Sequence, residues 1–202
     1  MRIFSAPLLA IAIIAATYLI PATAPAYAQT TTDCSKREPA FPNQNSAEVM
    51  RNVPTRAGWT VPVRRGFYCV PDSAKGNIVA EARYGWGFGY DKVRHRHSIS
   101  SLNAIHFVLT AERTFTNAAG DTNFRVWARE RRCQGGKNCV TLREQEVLGS
   151  ASKKSVDPYD PGRMPGGDPL GLLTVYCVYG DGTKLRCDDW VNNALKNGTN
   201  PR

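Results

Sequence analysis

The placing of six cysteines, at positions 34, 69, 133, 139, 177 and 187, constrains this chain more than any other feature. Cys133-Gln-Gly-Gly-Lys-Asn-Cys139 brackets a Gly-Gly turn, and Cys177 to Cys187 brackets a second turn at Gly180-Asp181-Gly182. A disulfide needs its two Cα atoms close together, so a pair flanking a tight turn reads as a staple across a β-hairpin. That leaves Cys34 to pair with Cys69. Metal ligation is the rival use of cysteine, but the chain has no C-x-x-C spacing.

The N-terminus says why disulfides are expected. Arg2 supplies a positive start, Pro7 to Ile20 an apolar stretch, and Ala26-Tyr27-Ala28 an A-x-A cleavage site ahead of Gln29. Interrupted by Pro7 and Pro21, the apolar stretch is short for a membrane span, and nothing later approaches it. Secretion after cleavage near Ala28-Gln29 is expected, with no stable membrane insertion, and an exported chain with an even cysteine count favours three disulfides. The organisation expected is a leader over 1–28, an extension over 29–75 tied by Cys34 and Cys69, and a functional domain over 76–202.

Charge narrows the partners. The formal net charge is +9, and loss of Arg2 with the leader leaves +8. Such an excess suits a polyanion: nucleic acid, an anionic surface or an acidic polymer.

Along the extension, Asn45-Ser-Ala-Glu48 has capping-box spacing and predicts a short helix to about Val53, ended by Pro54. Trp59 to Val63 and Gly66 to Val70 are β-prone runs suited to edge strands. The segment Gly85-Trp-Gly-Phe-Gly-Tyr90 then runs into Asp91-Lys-Val-Arg-His-Arg-His97. From Tyr90 to Arg96 two readings stay open. In a helix, Asp91 and His95 share a face while His95 and His97 point apart; in a strand the two histidines share a face. Ser98 to Ser101 offer N-caps for a helix through Leu109, with an apolar stripe at Leu102, Ile105 and Val108.

After Thr114 the period changes. Thr122 to Arg132 alternates, with Phe124, Val126 and Ala128 on one face and Arg125, Trp127, Arg129 and Arg131 on the other. Val140 to Leu148 forms the second half of this hairpin. Residues 149–169, rich in Ser, Pro, Asp and Gly, read as a long loop. Leu170 to Tyr179 reads as a central strand paired with Thr183 to Cys187, and Asp188 caps a closing helix over Asp189 to Lys196. Together these predict an α+β protein with N-terminal helices packed on one face of a four-stranded antiparallel sheet.

Between Gly85 and Tyr179 this element order resembles the barnase–EndoU–colicin class of small ribonuclease toxins. Such proteins pack one or two N-terminal helices on a four-stranded sheet and carry Lys and His on the first helix, matched here by Lys92, His95 and His97. The resemblance implies that strand residues complete the site, matched by Arg129, Glu144, Thr174 and Tyr176. It also implies an RNA substrate and a cognate immunity or inhibitor protein.

The residues themselves admit that chemistry. His95 and His97 are suited to general base and general acid in RNA cleavage, which needs no metal or cofactor because the 2′-hydroxyl nucleophile is in the substrate. Lys92, Arg96 and Arg129 are placed to offset the charge of the pentacovalent transition state. Arg94 and the aromatic residues Trp86, Tyr90 and Tyr176 would hold the substrate. A His-x-His metal site with His106 is the competing idea, opposed by the surrounding cations. His106, set among Ala104, Ile105 and Phe107, reads as a half-buried structural histidine. Glu144 and Glu146 are open to service as a base or as cross-strand ion pairs with Arg129 or Arg131. The expected function is therefore that of a secreted, monomeric, metal-independent ribonuclease. The other reading is a non-enzymatic module that presents a basic face to a polyanion or a protein partner.

Overall fold

A computed structural model describes residues 46–71, 74–134, 137–155, 164–180 and 185–198. The leader over 1–28, the lead-in with Cys34, Asn45 and residues 156–163 and 181–184 lie outside the described residues.

The main sheet grows from the hairpin that the alternating sequence predicts. Strands β6 (Thr122–Gln134) and β7 (Lys137–Ser152) pair from Thr122↔Ala151 to Gln134↔Lys137, with register shifts between Glu130 and Arg131 and between Cys133 and Gln134. Every second residue of β6 from Phe124 to Ala128 is buried, so hydrophobic pattern and register agree. Strand β5 (Arg113–Thr116) adds to β6, and β8 (Gly171–Cys177) adds to β7, giving an antiparallel sheet in the order β5-β6-β7-β8.

Two small sheets precede it. One joins β1 (Val49–Pro54) to β2 (Thr60–Arg64), the other β3 (Phe67–Cys69) to β4 (Trp86–Phe88). The helices are α1 (Ile78–Tyr84), α2 (Gly89–His97), α3 (Leu102–Leu109) and α4 (Asp189–Lys196). Asn77 and Ser101 cap α1 and α3 by accepting the Ala80 and Ala104 amides at 3.1 and 3.3 Å. In the main core, Val53, Val61 and Val63 of the first hairpin pack in one cluster with Val93, Ile105, Val108, Phe124, Val147 and Val175. Helices α3 and α4 pack together over β6, α3 also meets β7, and α2 packs against β8. Gly149 makes the α3 contact possible, since a Cβ there would stand 2.8 Å from Val108 Cγ1.

Several expectations are corrected. The helix expected up to Val53 is strand β1; pairing with β2 sets Val53 opposite Val61 in the core, and this burial outweighs a local capping signal, while Glu48 pairs with Arg65 at 2.8 Å. With that helix gone, and with α4 from the C-terminus packed beside α3, the layout is not simply N-terminal helices on a sheet. The strand from Leu170 is at the edge of the sheet, not its centre. Its apolar character answers to the flank formed by β2 and α2, where the Gly171 backbone lies so close to Pro62 that a Cβ would run into the Pro62 carbonyl. The fourth strand is β5, and Leu185 to Asp188 carry no strand. Gly149 to Ser152, expected in a loop, continue β7.

Two disulfides follow the expected local pairing: Cys133–Cys139 with Cα atoms 4.0 Å apart, and Cys177–Cys187 with Cα atoms 5.5 Å apart. Cys69 is also disulfide-bonded, and its expected partner Cys34 lies outside the described residues. No helix among the described residues is long and apolar enough to cross a membrane.

Candidate functional site

Helix α2 carries the residues singled out as acid and base. Asp91 is in its first turn and Arg94, His95, Arg96 and His97 are in its last, a distribution that suits the helix dipole. Ser98 closes it in the left-handed region at φ 59°, its N–H donating to the Arg94 carbonyl at 3.1 Å. Because the segment is helical, Asp91 and His95 lie one turn apart on one face, and His97 turns with Val93 toward the core.

His97 is 6% exposed. Its Nδ1 is 2.9 Å from the Leu185 carbonyl, which can only accept, so Nδ1 carries the hydrogen. Burial pushes the imidazole down to about 3, against the opposing effect of the Leu185 bond. The His97 carbonyl accepts the Cys187 amide at 3.0 Å, and the His97 ring centroid stands 5.7 Å from that of Tyr176. His97 thus ties α2 to the Leu185–Cys187 segment, which the Cys177–Cys187 disulfide anchors to β8.

The rest of the α2 set is dispersed. Asp91 is buried, and burial raises its carboxyl against the pull of His95, Arg65 and Arg94. Asp91 Oδ1 and His95 Nε2 are both buried without a hydrogen-bond partner among the described residues. Arg94 is exposed and Lys92 half-buried, while Arg96 donates from Nη1 to the Gly85 carbonyl at 2.7 Å. The Tyr90 hydroxyl donates to the Ser100 carbonyl at 2.7 Å. Trp86 packs against a second apolar cluster with Phe67 and Phe88. His106, expected half-buried, is exposed on α3. Among the described residues no group of His, Cys, Asp and Glu is arranged to hold a metal.

The strand residues form a separate group. Arg129 Nε lies 3.0 Å from Glu144 Oε2 in a direct cross-strand pair, so Glu144 is engaged by arginine. Thr174 faces Ser150 and Tyr176 faces Leu148 on β7. Thr174 Oγ1 is buried without a hydrogen-bond partner among the described residues. The half-buried Tyr176 hydroxyl is raised by burial first and by Glu146 second. Strand β8 pairs with β7 only from Val147 onward, and Glu144 lies further toward the turn. Helix α2 packs on β8, whereas the Arg129–Glu144 pair belongs to the two-stranded outer part of the hairpin. His97 and Tyr176 are brought together; His95 and His97 are not placed on one face.

A different site lies where the C-terminal end of α3 and the turn after β1 approach β5 and β6. A cleft of about 490 Å³ there is lined by Arg56, Arg113, Arg125, Arg129, Glu112 and Trp127, with Phe107, Thr110, Ala111 and Val126 forming its less polar wall. Arg113 and Arg125 stand directly opposite each other across the β5–β6 ladder. Like charges so placed repel. Their neighbours relieve this only partly. Arg125 Nε is 2.6 Å from Glu146 Oε1, close in distance yet outside hydrogen-bond geometry, and its guanidinium lies 5.9 Å from the Phe115 ring centre. Arg56 pairs with Glu112 at 3.0 Å, both well exposed. Arg113 is exposed and has no ion-pair partner among the described residues. Of this set the catalytic expectation contained Arg129 alone. The alternation of β6 puts Arg125, Trp127 and Arg129 on one face, but Arg113 joins them only through β5, too short to read as a strand.

Comparisons with protein-family models, with curated proteins and with solved structures find no match to this chain.

Proposed function

We propose that this chain acts as an exported polyanion-binding module, with the arginine cleft on β5 and β6 as its contact surface. The observation that carries the reading is the Arg113–Arg125 juxtaposition, flanked in the cleft by Arg56 and Arg129. Opposed arginines cost stability in the free protein, and an anion bound between them turns that cost into affinity. The net charge of +8 on the mature chain, from +9 less Arg2, supports the same reading.

Heparin affinity measured over a range of salt tests it. Tight binding that weakens linearly in log–log salt is expected, and replacing both Arg113 and Arg125 by alanine should weaken binding and make that slope shallower. Affinity and slope left unchanged by the double substitution would overturn it.

A second reading, metal-independent RNA cleavage, is favoured by the buried, unpartnered Nε2 of His95 beside Asp91 on α2. In that reading His95 is the base. His97, held neutral at about 3 and already bonded to Leu185, serves as a positioning residue and not as the acid. The proposed RNA substrate, and an inhibitor protein covering α2, belong to this reading. Its test is cleavage of labelled RNA in EDTA by the oxidised protein beside His95→Ala; equal cleavage by the two, or none by either, would sink it.

A further inference from the structure

The cleft holds a feature that charge alone does not call for. The chain has four tryptophans, at 59, 86, 127 and 190. Trp59 and Trp190 pack against the main core and Trp86 against the second cluster, whereas Trp127 belongs to neither. It stands on the polar face of β6 between Arg125 and Arg129 and lines the same cleft. Its directly opposed neighbour on β7 is Glu146. All four are half-buried, but only Trp127 has its indole beside arginines in a cleft and outside both apolar clusters, where the ring is placed to meet a ligand.

We infer that the cleft binds single-stranded nucleic acid, with phosphates on the arginines and an unstacked base on Trp127. The inference rests on the polyanion-binding reading and narrows its ligand. Alternate residues of a strand lie about 7 Å apart, so Arg125, Trp127 and Arg129 present charge, π-face and charge along a line on the scale of extended nucleotides. Such a platform tolerates any base, because every base offers a face to stack. An acidic polysaccharide or an anionic lipid surface would use the arginines but has no aromatic ring to stack on the indole. A duplex keeps its bases stacked on one another, so single strands should be preferred.

The experiment uses the oxidised mature protein and its Trp127→Ala, Trp127→Phe and Arg113→Ala/Arg125→Ala variants, each checked for native circular dichroism. Affinities are measured for labelled single-stranded RNA and DNA of mixed sequence, for the matching duplex, for heparin and for anionic phospholipid vesicles. Trp127→Ala should weaken binding of single strands about tenfold and leave heparin unchanged, and Trp127→Phe should restore most of the loss. Single strands should quench tryptophan fluorescence in the wild type and much less in Trp127→Phe. If Trp127→Ala folds natively and weakens no ligand, or weakens heparin as much as single strands, the stacking inference is overturned while polyanion binding stands. Tighter binding of duplex or vesicles than of single strands would overturn it as well. If no polyanion binds, the cleft reading fails along with it.

Discussion

His97 offers the sharpest test of how α2 is seated. Its ring is 6% exposed, with Nδ1 donating to the Leu185 carbonyl at 2.9 Å, and burial takes its pKa from 6.5 to about 3. The folded value is the lower one, so between about 3 and 6.5 the unfolded chain binds a proton that the folded protein refuses. Stability must therefore fall as the pH falls through that window. Each pH unit is worth about 1.4 kcal/mol, so this one residue should remove about 2 kcal/mol between neutrality and pH ~5. Asp91 acts in the opposite sense: its raised carboxyl holds a proton more firmly in the folded state, so its contribution declines as the pH rises through the range above 3.8.

A difference measurement separates the two. Urea unfolding of the oxidised protein across that pH window, beside His97→Gln, leaves Asp91 common to both chains. The glutamine amide keeps a donor for Leu185 but does not titrate. The wild-type curve should drop away from the variant curve below pH ~6.5 by about 1.4 kcal/mol per unit. Two parallel curves, or a His97 proton resonance titrating near its ordinary value, would refute the buried neutral imidazole and the seating of Leu185–Cys187 that depends on it.

Two further substitutions probe the sheet. Arg113→Glu would face Arg125 with an opposite charge; thermal unfolding should show a gain of about half a kcal/mol, while heparin affinity falls. Gly149→Ala should cost about 1–3 kcal/mol in urea titration, because its Cβ would stand 2.8 Å from Val108 Cγ1 under α3.

The parts of the fold legible in the sequence are those set by neighbours along the chain. The staples at Cys133–Cys139 and Cys177–Cys187, the alternation of β6 and the closing helix after Asp188 all depend on residues a turn or a hairpin apart. The features that stay hidden depend on distant partners. The strand β1 carries a capping-box spacing, yet Val53 lies opposite Val61 and enters the core with Val93 and Phe124, which a helix would not allow. The small residues from Gly149 to Ser152 look like a loop yet continue β7, and at Gly149 the approach of Val108 on α3 makes small size the requirement. The apolar stretch at β8 records burial on its flanks, and burial on two sides does not distinguish a central strand from an edge strand covered by β2 and α2.

The same distinction governs the site. Histidines clustered in sequence point to α2, but a helix separates neighbours that a strand would align, and His97 turns into the core. Arg56, Arg113 and Arg125 are scattered in sequence and meet only because β5 lies antiparallel to β6 beside the turn after β1. A catalytic pair must be brought together in one geometry, whereas a basic cleft needs only that cations converge without enough acids to neutralise them. The fold meets the second condition with Glu112, Glu144 and Glu146 set against four arginines, and Arg113 left without an ion-pair partner among the described residues. That imbalance is why the cleft, and not the histidine cluster, is the first place to look for a ligand.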